Sequence, residues 1–524
     1  MKNMVELREA AAVAEIVAAL PERLHAILHR QLANNADGPA LSQGMLSWSY
    51  RELFDMCEYL VVVLKNHGVR PGDRVMIVGE NSLALVALLF AVSSIDAWVV
   101  IVNVRLSSRE IDTIREHCGA RLTIFLVGDS AEADVHATRL AAMSIDIGSA
   151  GIVRISALNE DCRPDRVYAR GDEQVAALIY TSGTTGNPKG VMLTHHNLLF
   201  IAAVSSTLRN ITSVDRVYGV LPISHVYGLA SVCLGSLFGG ACVRLEPRYT
   251  PEKMIEALVN QGITVCQGVP AMYAKLLEKL RAESCAPNFP SLRFIYAGGS
   301  PLHPLLKRDI EAQLGLTLNN GYGMTEASPT VSQTRFDEHR TDCSVGRVIP
   351  GVEVRIVNQD ANDVAGGEVG ELWVRGPNVM KGYYRNLELT ASTINAEGWL
   401  STGDLAHRDA AGALFIVGRT KDLIIRSGFN VYPVEVEEAL NSHADVTQSA
   451  VVGYEVDGNE QVVAFVERAS GSNLDEIALM DFAAKSLAPY KRPTRIIFMS
   501  PLPHAASGKL LKHLLKSMIS TSLS

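Results

Sequence analysis

The segment Tyr180-Thr-Ser-Gly-Thr-Thr-Gly-Asn-Pro-Lys-Gly-Val191 directly follows an apolar, β-branched run, Val175–Ile179. Its glycines allow the backbone to approach an anion, its four serine and threonine hydroxyls can donate hydrogen bonds, and Lys189 supplies a positive charge. Because Lys189 is followed by Gly190, the segment is not the GxxxxGK[ST] phosphate loop, and the chain has no GxGxxG after a first strand. A Ser/Gly-rich surface turn is the alternative. The density of hydroxyls and glycines favours a loop that grips phosphate groups.

Apolar runs of the same kind alternate with helical patterns on both sides of this loop. They have few polar interruptions, which is typical of parallel strands covered on both faces. Helical patterns such as Ser82–Ser93 and Pro251–Asn260 lie between them. The sequence therefore predicts a large α/β region of mostly parallel sheet. Its strands are expected to begin at Arg74, Ala97, Leu122, Val175, Val217, Ile263 and Arg293.

The pattern changes in the C-terminal third of the chain. Short alternating strands with glycine-rich turns predict a small β subdomain over about 346–420, and a smaller α+β pattern with a helix over Pro433–Ser442 follows. We place a boundary at Lys421, which leaves a C-terminal unit of about 100 residues, enough for its own core. The predicted fold class is α/β. Residues 1–421 form a large N-terminal domain of two α/β sheets plus the β subdomain, and residues 422–524 form a small α+β C-terminal domain.

Composition excludes several classes of protein. The chain has 524 residues, 48% of them hydrophobic and 20% charged, so disorder, collagen and coiled coil are ruled out. A formal net charge of −8 argues against a nucleic-acid partner or an anionic membrane surface, since either requires a basic field. The eight cysteines include no CxxC pair, which predicts reduced, mostly buried thiols in a cytoplasmic protein without structural zinc.

Two apolar stretches could be mistaken for membrane or export signals. The first lies between Arg216 and Arg244 and contains no Asp, Glu, Lys or Arg, yet Pro222, His225 and Gly239-Gly240 within it predict a buried strand, loop and helix. The second is the N-terminus, where charged residues at 6, 8, 9 and 15 interrupt the apolar run. It is expected to be an amphipathic helix rather than a signal peptide.

Four more motifs follow the loop in order: Asn320–Ala327 (NGYGMTEA), Gly398–Leu405 (GWLSTGDL), Gly418–Glu438 (GRTKDLIIRSGFNVYPVEVEE) and Pro503–Leu510 (PHAASGKL). With them the chain resembles, over nearly its whole length, the adenylate-forming superfamily of acyl-CoA synthetases, aryl-CoA ligases, luciferases and peptide-synthetase adenylation domains. It departs from the usual pattern at His504, Ala505 and Asp96. None of the three is expected to touch the reacting atoms.

The resemblance implies an AMP-forming acyl-CoA ligase. Such an enzyme converts a carboxylate and ATP to an acyl-adenylate and pyrophosphate, and the thiol of coenzyme A then displaces AMP. Because charge accumulates on the α-phosphate, the site must supply positioned cations and hydrogen-bond donors. The implied catalytic residues are Lys509, Thr185, Glu326 and His225. Lys509 would bridge the acyl carboxylate and the α-phosphate.

Nucleotide and metal contacts are likewise implied position by position. Glu326 would bind Mg²⁺ directly or through water, and Asp404 would accept both ribose hydroxyls. Tyr322 would pack on the adenine, and Arg419 would help to hold ribose and phosphate. The phosphate loop would hold the β- and γ-phosphates through Thr181, Ser182, Gly183, Thr184, Thr185 and Lys189, and Gly298, Gly299 and Ser300 would line the base. The other implied nucleotide-binding residues are Asn320, Gly321, Gly323, Met324 and Thr325. The alternatives are ordinary structural roles: a solvated glutamate, a core tyrosine, a turn aspartate and a surface arginine.

The resemblance also implies a mobile C-terminal domain. Lys421 occupies the hinge position, and rotation there would exchange Lys509 for a loop that lines the path of coenzyme A. That loop contains Ser427, Gly428 and Phe429, and an ordinary glycine hairpin is its alternative reading.

The substrate is less defined. Peptide-synthetase domains place an aspartate in the region where this chain has Leu221-Pro-Ile-Ser-His225, so an α-amine is not expected. Only 15 residues follow Lys509, so coenzyme A rather than a fused carrier is the expected acceptor. The residues expected to line the acyl pocket are His225, Tyr227, Val269, Ala297, Gly323, Met324, Ser328, Pro329 and Thr330. They are mostly small and apolar, and they offer no basic partner for a second carboxylate.

A fatty or other hydrophobic monocarboxylic acid is therefore the expected substrate. An aryl-CoA ligase of benzoate or coumarate type, a stand-alone enzyme that loads a carrier protein, and a non-catalytic relative are the alternatives. The last would be expected to lose Lys509, Glu326 or Asp404, and all three are present. The expected partners are small molecules, with a homodimer possible.

Overall fold

The computed structural model describes residues 15, 17–182, 188–282, 288–427, 429–456, 459–469, 471–503 and 510–522. Most of the predicted N-terminal amphipathic helix, the tip of the phosphate loop, Gly428 and Lys509 lie outside these residues.

The structure contains strands and helices in mixed order. The strands are β1 (Pro39–Gln43), β2 (Leu46–Ser49), β3 (Arg74–Gly79), β4 (Trp98–Asn103), β5 (Leu122–Phe125), β6 (Met143–Asp146), β7 (Ile152–Ile155), β8 (Val175–Ser182), β9 (Pro188–Thr194), β10 (Arg216–Gly219), β11 (Cys242–Leu245), β12 (Val265–Gly268), β13 (Phe294–Ala297), β14 (Leu318–Gly323), β15 (Thr330–Gln333), β16 (Arg347–Val348), β17 (Glu353–Val357), β18 (Gly370–Arg375), β19 (Gly382–Tyr383), β20 (Leu400–Arg408), β21 (Leu414–Arg419), β22 (Ile424–Arg426), β23 (Phe429–Val431), β24 (Val446–Val456), β25 (Asn459–Arg468) and β26 (Arg495–Phe498). The α-helices are α1 (Ala26–Asn35), α2 (Tyr50–Asn66), α3 (Leu83–Ser94), α4 (Ser108–Cys118), α5 (Ala131–Arg139), α6 (His195–Leu208), α7 (Gly235–Phe238), α8 (Pro251–Asn260), α9 (Pro270–Ala282), α10 (Pro304–Leu314), α11 (Leu387–Thr393), α12 (Pro433–Asn441), α13 (Glu476–Ala483) and α14 (Lys512–Ser522).

Two large sheets carry the N-terminal part of the chain. One has eight strands in the order β19-β9-β8-β4-β3-β5-β7-β6, and the other has nine in the order β16-β15-β14-β13-β12-β10-β11-β1-β2. Both are parallel at the centre and antiparallel at the edges. The predicted α/β class is confirmed. The structure differs from the prediction at the edges of the sheets, where strands such as β8 and β9 are antiparallel. Local sequence patterns do not distinguish these antiparallel strands from parallel ones.

The main core lies between the two sheets and contains helices α3 and α6. Helix α3 is apolar all round, and every residue from Leu83 to Ser93 is buried, as expected for a helix covered on all sides. Helix α6 begins at a capping box in which Thr194 and Asn197 exchange hydrogen bonds, so the chain turns sharply from strand β9 into the core.

The smaller sheets follow in the chain. Strands β17, β18, β20 and β21 form an antiparallel sheet within the predicted β subdomain, but β19, from the same region, joins the eight-stranded sheet by pairing with β9. Residues from Ile424 onward form two hydrophobic clusters of their own around β22–β26. The domain boundary at Lys421 stays a prediction, which these separate clusters support.

The two apolar features noted in the sequence are also located. The uncharged stretch between Arg216 and Arg244 forms β10, an irregular helical turn over Tyr227–Leu234, α7 and β11, as predicted. Among the described residues, no helix combines the length and apolar character that crossing a membrane requires. The seven described cysteines are free thiols, and six of them are buried.

Candidate active site

The β8–β9 hairpin brings together the two ends of the predicted phosphate loop. Thr181 pairs with Lys189 and Ser182 with Pro188, so the two described ends of the loop are adjacent in antiparallel strands of the eight-stranded sheet. The Tyr180 hydroxyl lies 2.7 Å from Nδ1 of His117, and this contact fixes strand β8 just before the loop. Gly183, Thr184 and Thr185 lie outside the described residues, as does the side chain of Ser182.

Strand β19 joins this hairpin to Glu326. Tyr383 pairs with Val191 in β9, and Lys189 Nζ lies 5.5 Å from the centre of the Tyr383 ring. The Tyr383 hydroxyl donates to Oε1 of Glu326 at 2.8 Å, and the Met380 amide donates to the Glu326 carbonyl at 2.9 Å. Tyr383 thus contacts two predicted site residues. Tyr383 lies outside the five motifs, so the sequence did not predict it as a site residue.

Glu326 stands in a 3₁₀ turn, Thr325–Ala327, directly after β14. No group of three or more histidine, cysteine or acidic side chains in the described residues could hold a metal ion. A single fixed carboxylate nevertheless fits Mg²⁺, which is usually bound through one or two carboxylates together with water and substrate phosphates.

Asp404 lies at the centre of a second cluster. Its Oδ2 accepts from the Tyr322 hydroxyl at 2.5 Å, and its Oδ1 is 3.0 Å from Arg419 Nε. Asp404 in β20 and Arg419 in β21 are cross-strand partners. Asp404 is 4% exposed, whereas the Arg419 side chain is 38% exposed. Burial and the adjacent carboxylate of Asp404 hold the pKa of Tyr322 well above its usual value, so its hydroxyl remains a donor. Three residues predicted from separate motifs are therefore brought together.

Lys421 follows Arg419 by two residues and adds a positive charge near this cluster. Partial desolvation is the largest cause that lowers the pKa of Lys421, and repulsion from Arg419 and, more weakly, from Lys189 adds to it. Attraction to Asp422 and Asp404 opposes the shift. Lys189 and Arg419 thus both act on Lys421, an arrangement that suits a polyanion.

The turn after β13 supplies the predicted adenine wall. The Gly298 amide donates to the Gly268 carbonyl at 3.1 Å, and Gly299 has φ +83°, a conformation that favours glycine. A methyl group added at Gly298 would lie 3.3 Å from the Tyr296 ring and 3.4 Å from the Tyr227 ring. Ser300 follows in the same turn.

The neighbouring strand β14 is packed tightly. A methyl group added at Gly321 would lie 1.8 Å from the Tyr296 hydroxyl, and one at Gly323 would lie 2.0 Å from the Pro329 carbonyl. The side-chain amide of Asn320 donates to the carbonyls of Cys343 and Ser344, which fixes a neighbouring loop. Thr325 opens the turn that carries Glu326.

The predicted acyl-site residues come from four segments. Val269 follows β12, Ala297 ends β13, His225 lies just before the helical turn after β10, and Tyr227 is the first residue of that turn. Burial lowers the pKa of His225, so its ring is neutral at pH 7. Met324 donates its amide to the Pro329 carbonyl at 2.9 Å, which closes the loop through Ser328. The Thr330 hydroxyl lies 3.4 Å from that of Ser231.

Comparison with known proteins identifies the family. A family model described as AMP-binding enzyme matches residues 28–384, and another, described as AMP-binding enzyme C-terminal domain, matches residues 435–509. The chain belongs to the AMP-binding enzyme family. The predicted adenylate-forming family and the class of acid–thiol ligase are confirmed.

Similar proteins include named CoA ligases and a solved nucleotide complex. Feruloyl-CoA synthase of Amycolatopsis is 35% identical over 480 residues, 90% of this chain and 94% of that protein. Indoleacetate–CoA ligase of Aromatoleum aromaticum is 33% identical over 479 residues, 90% of this chain and 93% of that protein. The crystal structure of ATP-bound MatB from Rhodopseudomonas palustris is 28% identical with a TM-score of 0.83, and the match covers 96% of this chain and 100% of that one.

In this AMP-binding enzyme the predicted coenzyme A loop is part of the β22–β23 hairpin. The Ser427 amide donates to Oδ1 of Asn459 at 2.7 Å, and Phe429, which is 55% exposed, stacks on Tyr490 with ring centres 4.7 Å apart. Gly428 and Lys509 lie outside the described residues. Their assigned roles remain predictions.

Proposed function

We propose that this enzyme is an AMP-forming CoA ligase whose substrate is an aromatic or arylalkyl carboxylic acid. The observation that carries the proposal is that two fixed carboxylates, Asp404 and Glu326, each lie in a cluster that also contains a cation. Asp404 is held by Tyr322 and Arg419, Glu326 is held by Tyr383, and Lys189 lies beside Tyr383.

The proposed reaction has two steps. In the first, a carboxylate oxygen attacks the α-phosphorus of ATP, the bond to the bridging oxygen breaks, and pyrophosphate leaves. In the second, the sulfur of coenzyme A attacks the acyl carbon, the thiol loses its proton, and AMP leaves with the electrons of the acyl–oxygen bond. Lys189, Arg419 and Lys421 would offset the negative charge of the nucleotide in the first step.

Mg²⁺ would be held on Glu326, where it would neutralise charge on the departing phosphates. The Tyr383 hydrogen bond to Oε1 fixes the carboxylate and leaves Oε2 for the ion. A fixed ligand costs less to order when the ion binds.

The aromatic substrate class is supported by two considerations. The relatives named above act on feruloyl and indoleacetyl groups, as their names state, and both groups are aromatic. In this chain Tyr227 and Tyr296 meet edge to face with ring centres 6.2 Å apart, a wall to which a further aromatic ring can add. A fatty acid, the first expectation from sequence, becomes the second candidate.

The test is an acid panel with ATP, Mg²⁺ and coenzyme A, in which AMP, pyrophosphate and thioester are measured together. Cinnamate and indoleacetate, as aromatic acids, are expected to give the three products in equal amounts and to react faster than octanoate. Formation of ADP and phosphate would exclude the adenylate mechanism, and faster use of octanoate would favour the fatty-acid alternative. Replacing coenzyme A by a holo-carrier protein tests the carrier-loading alternative.

Tyr383→Phe is expected to slow acyl-adenylate formation by about 10–100-fold, because a hydrogen bond to a charged group contributes about 1.5–3 kcal/mol and Glu326 would lose its orientation. The Mg²⁺ concentration needed for half-maximal rate should also rise. The matched control is Tyr384→Phe, whose hydroxyl lies 3.2 Å from Oδ2 of Asp165 instead. Equal effects of the two substitutions on Mg²⁺ dependence would contradict the assigned role of Tyr383.

A further inference from the structure

Arg209 is a fully buried cation without a carboxylate partner among the described residues. It stands just after helix α6 and has 0% exposure. Its guanidinium donates to the side-chain oxygens of Gln267 at 2.7 Å and Gln333 at 3.2 Å, and it lies 4.6 Å above the Tyr296 ring. Its Nε has no hydrogen-bond partner among the residues that the structure describes. A buried charge with only neutral partners is costly, so its presence calls for a compensating ligand.

The acid held by the neighbouring Arg293 is engaged elsewhere. Asp215 accepts two hydrogen bonds from Arg293 at 2.7 and 2.8 Å and one from Thr264. Arg293 also donates to the backbone carbonyl of Arg209, which fixes the end of helix α6. The Arg293–Asp215 pair is neutral as a unit and leaves the charge of Arg209 unbalanced.

Two side chains close to Tyr296 carry donors that find no acceptor among the described residues. Gln267 is fully buried and points its oxygen at the guanidinium, and its Nε2 has no partner in the part of the chain that the structure describes. The Tyr227 hydroxyl is also inaccessible to solvent, and no described residue accepts from it. Within the described residues three buried donors are thus unused: Arg209 Nε, Gln267 Nε2 and the Tyr227 hydroxyl. An oxygen anion is the group that such a set would bind.

This donor cluster adjoins the acyl site. Tyr296, on which Arg209 stacks, contacts Tyr227 edge to face, and its ring lies beside Gly298. Gln333, the other partner of Arg209, pairs across β14 and β15 with Gly321. Tyr296 therefore contacts both the guanidinium and residues assigned to the acid and the nucleotide.

We infer that Arg209, with Gln267, determines specificity for acids that carry a second carboxylate at the end remote from the reacting one. This inference rests on the proposed function, because the acid must be activated at the same site. The second carboxylate would supply the missing counter-charge and accept from the unused donors, while the hydrophobic body of the acid packs against Tyr227. The inference differs from the sequence-based expectation that the acyl site lacks a basic partner. That expectation did not include Arg209, because Arg209 lies outside the motifs.

The alternative is a purely structural role, in which Arg209 joins helix α6 to strands β12 and β15. The two roles are distinguished by substrate preference. A structural arginine affects every acid equally, whereas a specificity residue changes the ratio between an acid that ends in carboxylate and its hydrocarbon isostere.

The experiment compares pairs of acids that share one body and end in either a carboxylate or an isopropyl group. One series has alkyl spacers of increasing length and the other has a benzene ring as spacer. Pyrophosphate release gives kcat/KM for each acid. For the best pair, the wild-type enzyme is expected to prefer the dicarboxylate by about 10²-fold, because a site built around polar groups rejects an analogue that leaves them unpaired. Arg209→Met should abolish or reverse that preference.

The control is Arg121→Met, since Arg121 is also buried but pairs with Asp73 and Glu160 in the other large sheet. Arg121→Met should lower the free energy of unfolding and leave the ratio of kcat/KM between the dicarboxylate and isopropyl acids unchanged. If Arg209→Met does not fold, Gln267→Leu is expected to reduce the ratio by about tenfold. Preference for the isopropyl acids throughout, or an unchanged ratio in folded Arg209→Met or Gln267→Leu, would overturn the inference alone. Failure of every acid to release pyrophosphate would instead overturn the proposed function.

Discussion

Asp404→Ala is expected to lower kcat/KM for ATP by about 10²–10³-fold, since the buried carboxylate would no longer accept from the two ribose hydroxyls, and a hydrogen bond to a charged group contributes about 1.5–3 kcal/mol. The substitution removes the acceptor of the Tyr322 hydroxyl and the partner of Arg419 as well as the proposed ribose contact. Initial rates of pyrophosphate release at varied ATP concentration measure the effect. Saturation with the acid should not restore the rate at low ATP.

Asp409→Ala is the matched control. Asp409 immediately follows the same strand, β20, and accepts from Arg340 at 2.9 Å, so its loss also breaks an ion pair. The KM for ATP should not change in this variant, although its melting temperature should fall. If the two variants weaken ATP use equally, the effect of Asp404 is one of stability, and its assignment to the nucleotide fails.

Lys509→Ala is expected to slow acyl-adenylate formation by about 10²–10³-fold, the typical loss when one positioned group that stabilises transition-state charge is removed. Thioester formation from a supplied acyl-adenylate should be largely unaffected, because the interaction belongs to one transition state only. Separate pre-steady-state measurements of pyrophosphate release and AMP release distinguish the two steps. This prediction comes from the terminal motif.

Gly428→Trp should have the opposite effect, since a bulky side chain in the predicted loop would block coenzyme A while adenylation continues. Lys509→Ala and Gly428→Trp together test a C-terminal domain with different duties in the two steps. Equal slowing of both steps in both variants would refute that division.

The sequence was most informative where the chain repeats a local pattern. Runs such as Arg74–Gly79 and Pro251–Asn260 form a strand and a helix with those bounds, because apolar periodicity and capping act within a few residues. The cluster of Tyr322, Asp404 and Arg419 was also anticipated, because each residue stands in a motif. Periodicity could not predict which distant segments pair at the edges of the sheets.

Two residues of interest were not predicted, for related reasons. Tyr383 lies in a strand of two residues, too short for any periodic signal, and reaches Glu326 only because β19 pairs with β9. Arg209 follows a helix, where a cation is ordinarily solvated and favourable to the helix dipole. Its complete burial results from Gln267 and Gln333, which are distant in sequence. Long-range contacts set both environments.

The pairing of β19 with β9 also has a consequence during synthesis. The ribosome releases β9 well before it makes Gly382 and Tyr383, so for that interval the hairpin carrying the phosphate loop has an open edge. A nascent chain that ends before Gly382 contains the loop and Glu326 but lacks the strand that joins them. The predicted nucleotide site is therefore complete only late in translation, after β19 and then Asp404 and Arg419 have emerged.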